Sequence, residues 1–298
     1  MTVVPHEAFP TRDDEVAPFV RGLGSPGLFD VHVHLLPHRL QEAVWRFFDR
    51  LDDPPWPIVY RDDEDARLAT LAELGVVRHS ALAYGHKPGV AAWCNQHTLD
   101  AADRHPQLLR TFTFHAEPDA ADYVADALAR GGELAKVHLQ VGRFHTTDPH
   151  LEEVWSQLET SGTPALIHAS AVYGVEGGHE YCGPDALRTL LEQHPDLQLI
   201  VAHLGAPDVD GFLTLAEEAD EVRFDTAMVL TDPPYFEAIA PTTLERIHRL
   251  QDRLLFGSDF PTIPHRYAAQ LRGLAALELT EAQLRDLLHD RAARVFDG

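Results

Sequence analysis

From residue 28 onward, short apolar runs alternate with longer segments in which apolar residues recur at helical spacing. A short apolar run bounded by polar or turn residues is typical of a buried strand, whereas spacings of three and four residues are typical of a one-sided helix. The apolar runs predict eight strands, at 28–34, 76–84, 108–115, 134–140, 165–168, 197–203, 222–226 and 254–258. The helical spacing predicts helices at 40–51, 62–74, 90–104, 119–130, 151–161, 184–194, 209–219, 242–250, 266–277, 280–289 and 291–296.

The regular alternation of strands and helices decides the predicted fold class. Parallel strands need helical crossovers between them, and eight such units closing on themselves form a (β/α)8 barrel of about 250 residues. We therefore predict a single-domain α/β TIM barrel over 28–298, an irregular arm over 1–27, and an insertion after strand 1 that begins at Pro37. A doubly wound open sheet is the alternative, but the glycine-rich turn that it would need after the first strand is replaced by histidines.

The charge balance narrows the classes of partner. The formal net charge is −23, which would repel phosphates, so neither a nucleic acid nor an anionic membrane is expected. A small-molecule substrate is the expected partner, and the sequence leaves open whether the protein forms a homo-oligomer.

Cys94 and Cys182 lie far apart and form no disulfide or zinc-finger pattern. No apolar run is long enough to span a bilayer, and the N-terminus lacks signal-peptide features, so a cytoplasmic protein is expected.

Residues of metal-binding type fall at the ends of the predicted strands. His32 and His34 lie two residues apart in strand 1, so their side chains project from the same face. Further residues of this type end or follow later strands: His115, His138, His168, His203 and Asp259. Chemistry in a (β/α)8 barrel takes place at the C-terminal ends of the strands. Their placement is therefore better evidence than any single histidine, which alone could be an ordinary core residue.

A divalent metal ion would explain these polar strand ends. Buried imidazoles and carboxylates are costly unless they bind each other or a ligand. Zinc accepts neutral histidine nitrogens and carboxylate oxygens, and a catalytic zinc site keeps one position open for water. The predicted ligands are His32, His34, His168 and Asp259. His203 is predicted to stand beside the coordinated water, where it would orient the water or accept its proton.

The ordered set of motifs resembles the amidohydrolase superfamily. The motifs are Asp30-x-His32-x-His34 at strand 1, His168 at strand 5, His203-x-Gly205 at strand 6 and Gly257-Ser258-Asp259-x-Pro261 at strand 8. They are most similar to the amidohydrolase-related branch, which includes 2-amino-3-carboxymuconate-semialdehyde decarboxylase-like proteins and various lactonases and hydrolases. The resemblance covers about residues 28–296 and implies a distorted (β/α)8 barrel that holds a divalent metal.

Lys136, one of only two lysines, lies in apolar strand 4. In some superfamily branches a strand-4 lysine is carboxylated and bridges two metal ions, and burial favours this chemistry because it lowers the amine pKa. We expect one ion, with Zn2+ as the first choice and Mn2+ as the alternative, and two ions only if Lys136 is carboxylated and so becomes a ligand. With one ion, Lys136 would bind a substrate carboxylate or pair with an acid at the barrel mouth.

Further substrate-binding candidates lie on strand 4 and the connections after strands 4 and 5: His138, Arg143, Tyr173 and His179. The segment 169–183 follows His168 directly and is long for a strand-to-helix connection, which predicts a lid or specificity loop. Arg143 could pair with a carboxylate substrate. Each of these residues also has an ordinary structural interpretation at the end of a strand or on the surface.

The main hypothesis is hydrolysis of a C–N or C–O bond in a small amide or lactone by a metal-activated water. A bound divalent ion lowers the pKa of water and polarises a carbonyl. Asp259 would take the proton and pass it to the leaving group, while His203 positions the water or stabilises the oxyanion.

Two alternatives stay open. A non-oxidative decarboxylase of a small aromatic or enoic carboxylic acid would use the same ligands, with His203 assisting proton transfer to carbon. A metal-binding barrel without turnover is the non-enzymatic alternative, because fold alone does not fix a reaction.

Overall fold

Strands and helices alternate along the chain in the predicted order in the computed structural model, which describes residues 2–231 and 237–297. The strands are β1 (Leu28–Asp30), β2 (Val76–His79), β3 (Thr111–Thr113), β4 (Leu134–His138), β5 (Ala165–His168), β6 (Leu199–Val201), β7 (Val222–Asp225) and β8 (Leu254–Leu255). The helices are α1 (Val16–Gly22), α2 (His38–Phe48), α3 (Glu64–Glu73), α4 (Ala91–Arg104), α5 (Ala120–Ala129), α6 (Leu139–Gly142), α7 (Glu152–Ser161), α8 (Pro184–Gln193), α9 (Val209–Glu218), α10 (Pro241–Arg249), α11 (Ala268–Gly273), α12 (Glu281–Arg285) and α13 (Arg291–Phe296).

The chain forms two compact units from discontinuous segments. Unit 1 comprises Met1–His34, His38–His79 and Asp225–Gly298, and unit 2 comprises Leu35–Pro37 and Ser80–Phe224. In unit 2, β3 to β7 pair in parallel, each with the next strand along the chain. The strands β3 to β6 are buried at every position, which is why they read as continuous apolar runs rather than as an alternation.

In unit 1, β1 is the centre of a second parallel arrangement. It pairs with β2 on one side, with Leu28 opposite Val76. On its other side the Val31 N–H donates to the Phe256 carbonyl at 2.9 Å, and Val33 forms a parallel bridge with Phe260. The first strand of the chain therefore lies beside the last, as a site built from strands 1 and 8 requires.

Strand 1 is shorter than predicted. A strand over 28–34 was expected, but the regular ladder ends at Asp30. The Asp30 carboxylate accepts the His32 N–H at 3.1 Å, and a side-chain acceptor of this kind competes with ladder hydrogen bonds. Strand 4 likewise ends at His138 and not at residue 140, because Leu139–Gly142 turns into a helix. The His138 ring caps that helix by accepting the Val141 N–H.

The arm over 1–27 is less irregular than predicted. Residues Val16–Gly22 form a helix, and the buried Val16 and Val20 give it an apolar face at a spacing of four residues. Pro18 is tolerated because it lies in the first turn, where its missing N–H has no helical partner to lose. The acid- and proline-rich composition concealed this short helix.

The final helices are more broken than predicted. The segment 266–277 contains α11 followed by a 3-10 turn, and a π-helical turn over Asp286–Asp290 joins α12 to α13. No helix formed by the described residues combines the length and the apolar character that crossing a membrane requires.

Within unit 1, Asp13 fixes the N-terminal segment to later parts of the chain, because its carboxylate accepts the Tyr60 hydroxyl at 2.6 Å and the Ala268 N–H at 3.0 Å. We expect Asp13→Ala to lower the free energy of unfolding by about 1–3 kcal/mol, because both donors lose their partner. Chemical denaturation measures this change. The adjacent Asp14, whose side chain is 71% exposed, is the matched control, and Asp14→Ala should unfold like the parent chain. Equal destabilisation by both changes would contradict this docking role.

Candidate metal centre

Three backbone hydrogen bonds bring the histidines of strand 1 against the segment that follows β8. The Val31 N–H donates to the Phe256 carbonyl at 2.9 Å, and the His34 N–H donates to the Phe260 carbonyl at 2.7 Å. In the opposite direction, the Asp259 N–H donates to the His32 carbonyl at 2.7 Å. Because side chains alternate along an extended chain, this register places His32 and His34 together on the side where Asp259 lies.

Three donor atoms, which we call the donor triad, converge in unit 1: His32 Nε2, His34 Nε2 and Asp259 Oδ1. The two nitrogens are 3.2 Å apart, and Asp259 Oδ1 lies 3.0 Å from His34 Nε2 and 3.5 Å from His32 Nε2. Donors at 2.0–2.1 Å around a tetrahedral ion lie about 3.3–3.4 Å from one another. The donor triad therefore fits one face of a zinc-type coordination shell in both atom type and spacing.

The buried carboxylate of Asp225 selects the tautomer of His32. Asp225 Oδ2 lies 2.8 Å from His32 Nδ1, and neither side chain is more than 1% exposed. An ionised carboxylate only accepts hydrogen bonds, so Nδ1 carries the proton and donates. The lone pair of the neutral ring is then on Nε2, the atom in the donor triad. A carboxylate behind a ligating histidine is the usual support of such a ligand.

The backbone around the donor triad is tight and strained. Asp259 has φ 65°, a left-handed conformation that costs a residue with a side chain about 1–3 kcal/mol and is concentrated at functional sites. A Cβ on Gly257 would lie 2.8 Å from the Cβ of His32 and 3.1 Å from that of Asp225. Only glycine allows the segment that follows β8 to approach these two residues so closely.

Asp30 is a fully buried carboxylate next to the donor triad. Its oxygens accept hydrogen bonds from Tyr267 OH, Ser258 Oγ and the N–H groups of His32 and Ser258. Burial raises the pKa of Asp30 to about 7, while the hydrogen bonds from Ser258 and Tyr267 act in the opposite direction. Four donors directed at two oxygens match the acceptor capacity of the ionised group.

Unit 2 holds a second group of histidines at adjacent strand ends. His138 and His168 are opposite each other in the ladder of β4 and β5, and their rings stack with centroids 4.1 Å apart at an interplanar angle of 7°. The His203 ring lies 4.9 Å from that of His168 at 62°. The predicted His168 and His203 are thus neighbours, as expected from consecutive strands.

His203 also has a strained backbone. It lies at φ 55° and the following Leu204 at φ 52°, so two consecutive residues with side chains adopt the left-handed conformation. Gly205 continues this turn, and a Cβ there would lie 2.1 Å from the Phe212 ring. The motif His203-x-Gly205 therefore forms a turn after β6 that packs closely against α9. That the histidines of unit 2 share an ion with the donor triad stays a prediction.

The remaining predicted residues lie in different environments of unit 2. Lys136 is in β4 with 1% of its side chain exposed. Arg143, after β4, is exposed and donates to the Glu176 carbonyl at 3.3 Å. Tyr173 is half-buried, and His179 is exposed at the start of a 3-10 turn. The structure thus groups His138 with His168 and His203, while Arg143 and His179 face solvent.

The segment 169–183 is fastened by a residue that was not predicted. The Gln140 side chain is fully buried, and its amide nitrogen donates to the carbonyls of Gly177 at 2.8 Å and Val175 at 3.2 Å. Its amide oxygen accepts the Val172 N–H at 2.7 Å. The prediction of a lid or specificity loop therefore needs an addition, because one side chain holds the backbone of this segment at three points.

Sequence reasoning missed Asp225 and gave Asp30 no role. Asp225 is the last residue of β7, so the rule that selected polar strand ends could have found it. Asp30 was part of the recognised motif, but its value depends on Ser258 and Tyr267, which are more than two hundred residues away along the chain. No local pattern indicates such partners.

Comparison with known proteins places the chain in a family. The family model described as Amidohydrolase matches residues 29–298. No curated protein matches the sequence significantly.

Solved structures confirm the predicted α/β TIM-barrel fold. An uncharacterised TIM-barrel protein from Bordetella bronchiseptica is similar with a TM-score of 0.72 and 17% identity, covering 91% of this chain and 98% of its own. The 5-carboxyvanillate decarboxylase from Sphingomonas paucimobilis has a TM-score of 0.66 and 17% identity, covering 92% and 99%. A dihydroxybenzoic acid decarboxylase from Polaromonas sp. JS666, with bound manganese and an inhibitor, has a TM-score of 0.64 and 16% identity, covering 91% and 97%.

The hydrogen bond between Asp225 and His32 predicts a tautomer effect on metal binding. Asp225 Oδ2 accepts from His32 Nδ1, and Asp225 Oδ1 accepts the Ala227 N–H. In Asp225→Asn one of these oxygens becomes an NH2 group, so the donor that faces it loses its acceptor. We expect zinc affinity to fall by about 10–100-fold, measured by competition with a chromophoric chelator. Asp185→Asn, at a side chain that is 93% exposed, is the control. Unchanged affinity in Asp225→Asn would refute the tautomer assignment.

The three hydrogen bonds of Gln140 predict that the segment 169–183 resists proteolysis. Gln140→Met keeps the side-chain volume but removes all three hydrogen bonds, so we expect faster proteolytic cleavage next to Glu176. Limited proteolysis with a glutamate-specific protease and mass spectrometry measures the rate. Gln157→Met, which removes an amide bonded to the Ala121 carbonyl on a helix surface, is the control. If both variants are cleaved there at the parent rate, Gln140 does not fasten the segment.

Proposed function

The chain belongs to the amidohydrolase family, and on this premise we propose that it is a metal-dependent hydrolase that cleaves a C–N or C–O bond of a small amide or lactone. The donor triad would hold the divalent ion, with Zn2+ as the expected ion and Mn2+ as the alternative. His168 is the proposed further ligand, and a second ion follows only if Lys136 is carboxylated. The observation that supports this best is the contact of Asp259 Oδ1 with both histidine nitrogens, at 3.0 and 3.5 Å.

Asp259 contacts both histidines of the donor triad, and its negative charge favours hydrolysis. A carboxylate that ligates a metal must be ionised, so Asp259 begins the reaction as a proton acceptor. When bound, a divalent ion supplies Lewis acidity that polarises a carbonyl and makes water a better nucleophile at neutral pH. Asp259 takes the proton of the attacking water and returns it to the leaving nitrogen or oxygen.

The other residues of the proposed site orient these groups. Asp225 keeps the proton on His32 Nδ1 and the lone pair on Nε2. His203 is proposed to orient the water or to stabilise the oxyanion, a contribution that general acid–base and electrostatic catalysis places at about 10²–10⁴-fold in rate. Lys136 and His138 are the proposed substrate contacts, together with Arg143, Tyr173 and His179 at the more exposed positions.

Non-oxidative decarboxylation of a small aromatic or enoic carboxylic acid is the second candidate. Two structurally similar proteins are decarboxylases, one of them with bound manganese. In that reaction His203 would assist the delivery of a proton to carbon, and the ionised Asp259 would serve only to hold the ion. An ionised ligand therefore serves hydrolysis more directly, whereas the buried Lys136 would suit a substrate carboxylate in either reaction.

The test is a substrate screen on the zinc- and manganese-loaded protein. We expect hydrolysis within a panel of amides and lactones, and a loss of kcat of about 10²-fold or more in His203→Ala with metal content near that of the parent by elemental analysis. The double variant His32→Ala/His34→Ala should contain no stoichiometric metal. His38→Ala, at a histidine that is 81% exposed, is the control for both measurements.

Each other outcome of the screen selects a different function. Release of CO2 from aromatic or enoic acids without any hydrolysis would replace the proposal by the second candidate. Stoichiometric metal without turnover on either panel would support the non-enzymatic alternative. A fully loaded double variant would refute the ligand assignment.

A further inference from the structure

We propose that Asp30 is a positioning residue that sets the spacing of the donor triad by tying the segment of His32 to the segment of Asp259. The inference rests on the metal centre of the proposed function and adds a residue that contacts no substrate or ion itself. It concerns the metal affinity of the protein, which is measurable without a substrate.

One carboxylate oxygen joins the two segments directly. Asp30 Oδ1 accepts the His32 N–H at 3.1 Å and the Ser258 N–H at 3.1 Å. His32 supplies one member of the donor triad, and Ser258 immediately precedes Asp259, which supplies another. Movement of either segment therefore stretches a hydrogen bond to the same oxygen atom.

The second oxygen fixes the chain on the far side of Asp259. Asp30 Oδ2 accepts the Ser258 hydroxyl at 2.5 Å, and that hydroxyl oxygen in turn accepts the Phe260 N–H at 3.1 Å. Residues on both sides of Asp259 are thus connected to Asp30. A clamp of this kind explains how Asp259 is kept at its left-handed φ of 65°, which an isolated chain would leave.

Tyr267 holds Asp30 in place from the start of α11. Its hydroxyl donates to Asp30 Oδ2 at 2.7 Å, and its ring is fully buried. Its own N–H donates to the Tyr60 hydroxyl at 2.7 Å. The carboxylate consequently accepts from four donors, two on each oxygen.

Only a carboxylate accepts from all four donors at once, and an amide does not. A carboxylate offers acceptor sites on both oxygens, whereas an amide has one acceptor oxygen and an NH2 group that only donates. In Asp30→Asn the NH2 group would face either the N–H groups of His32 and Ser258, which lose their acceptor, or the hydroxyls of Ser258 and Tyr267, which would have to turn and accept from it, so that their own protons lose their acceptor. Either the bridge between the two segments or the attachment of Ser258 and Tyr267 to residue 30 is weakened, so we expect the donor distances of 3.0–3.5 Å to depart from those that match a zinc ion.

The test compares zinc dissociation constants with melting temperatures. We expect Asp30→Asn to raise the Kd for Zn2+ by about 10–100-fold and Tyr267→Phe, which removes one donor, by up to about tenfold. Competition with a chromophoric chelator at 25 °C gives Kd, and circular dichroism shows that each variant is folded. The matched control is Tyr123→Phe in unit 2, which removes a hydroxyl that donates to Glu117 at 3.0 Å; its melting temperature should fall while its Kd stays at the parent value.

The outcomes separate positioning from general stability. A folded Asp30→Asn variant with the parent Kd overturns the proposal, as does an equal change of Kd in Tyr267→Phe and Tyr123→Phe. If Asp30→Asn does not fold, the two tyrosine variants decide. A parent protein that binds no zinc or manganese refutes the metal centre of the proposed function, whereas a parent that binds metal as tightly as Asp30→Asn refutes the role of Asp30 alone.

Discussion

The backbone pairing of residues 31–34 with residues 256–260 is the constraint on which the candidate site depends. Hydrogen bonds in both directions, from Val31 to Phe256 and from Asp259 to His32, fix one register. A slip of one residue would turn the histidines to the opposite face. Every distance within the donor triad is a consequence of this register.

Carboxylates surround that pairing and give the centre its chemistry. Asp225 determines which nitrogen of His32 carries a proton, and Asp259 brings an anionic oxygen to the same point as two neutral nitrogens. Carboxylates buried among neutral donors lose their hydration, which is costly unless charge or hydrogen bonds compensate. A divalent cation would fit the donor spacing, and it would both compensate this cost and supply the acidity that the proposed hydrolysis needs.

Backbone strain occurs where two of the predicted site residues, Asp259 and His203, follow their strands. Asp259 and His203 both adopt left-handed conformations at positions where the chain leaves a strand. Each is accompanied by a glycine at a close approach, Gly257 beside His32 and Gly205 against Phe212. Strain of this kind persists only where the surrounding structure enforces it, so the glycines and the strained residues belong to one structural solution in each unit.

The sequence alone determined the order of strands and helices, the parallel α/β fold and the residues at most polar strand ends, including His32, His34, His168 and Asp259. These follow from periodicity and residue type, which depend on neighbours along the chain. Only the tertiary structure decided the proton position on His32, the roles of Asp225 and Asp30, the fastening of segment 169–183 by Gln140 and the early end of β1. Each depends on a specific contact: Asp225 reaches His32 across 193 positions of sequence, and Tyr267 reaches Asp30 across 237. A hydrogen bond is made or lost over a few tenths of an ångström, a precision that long-range packing sets and that no local pattern encodes.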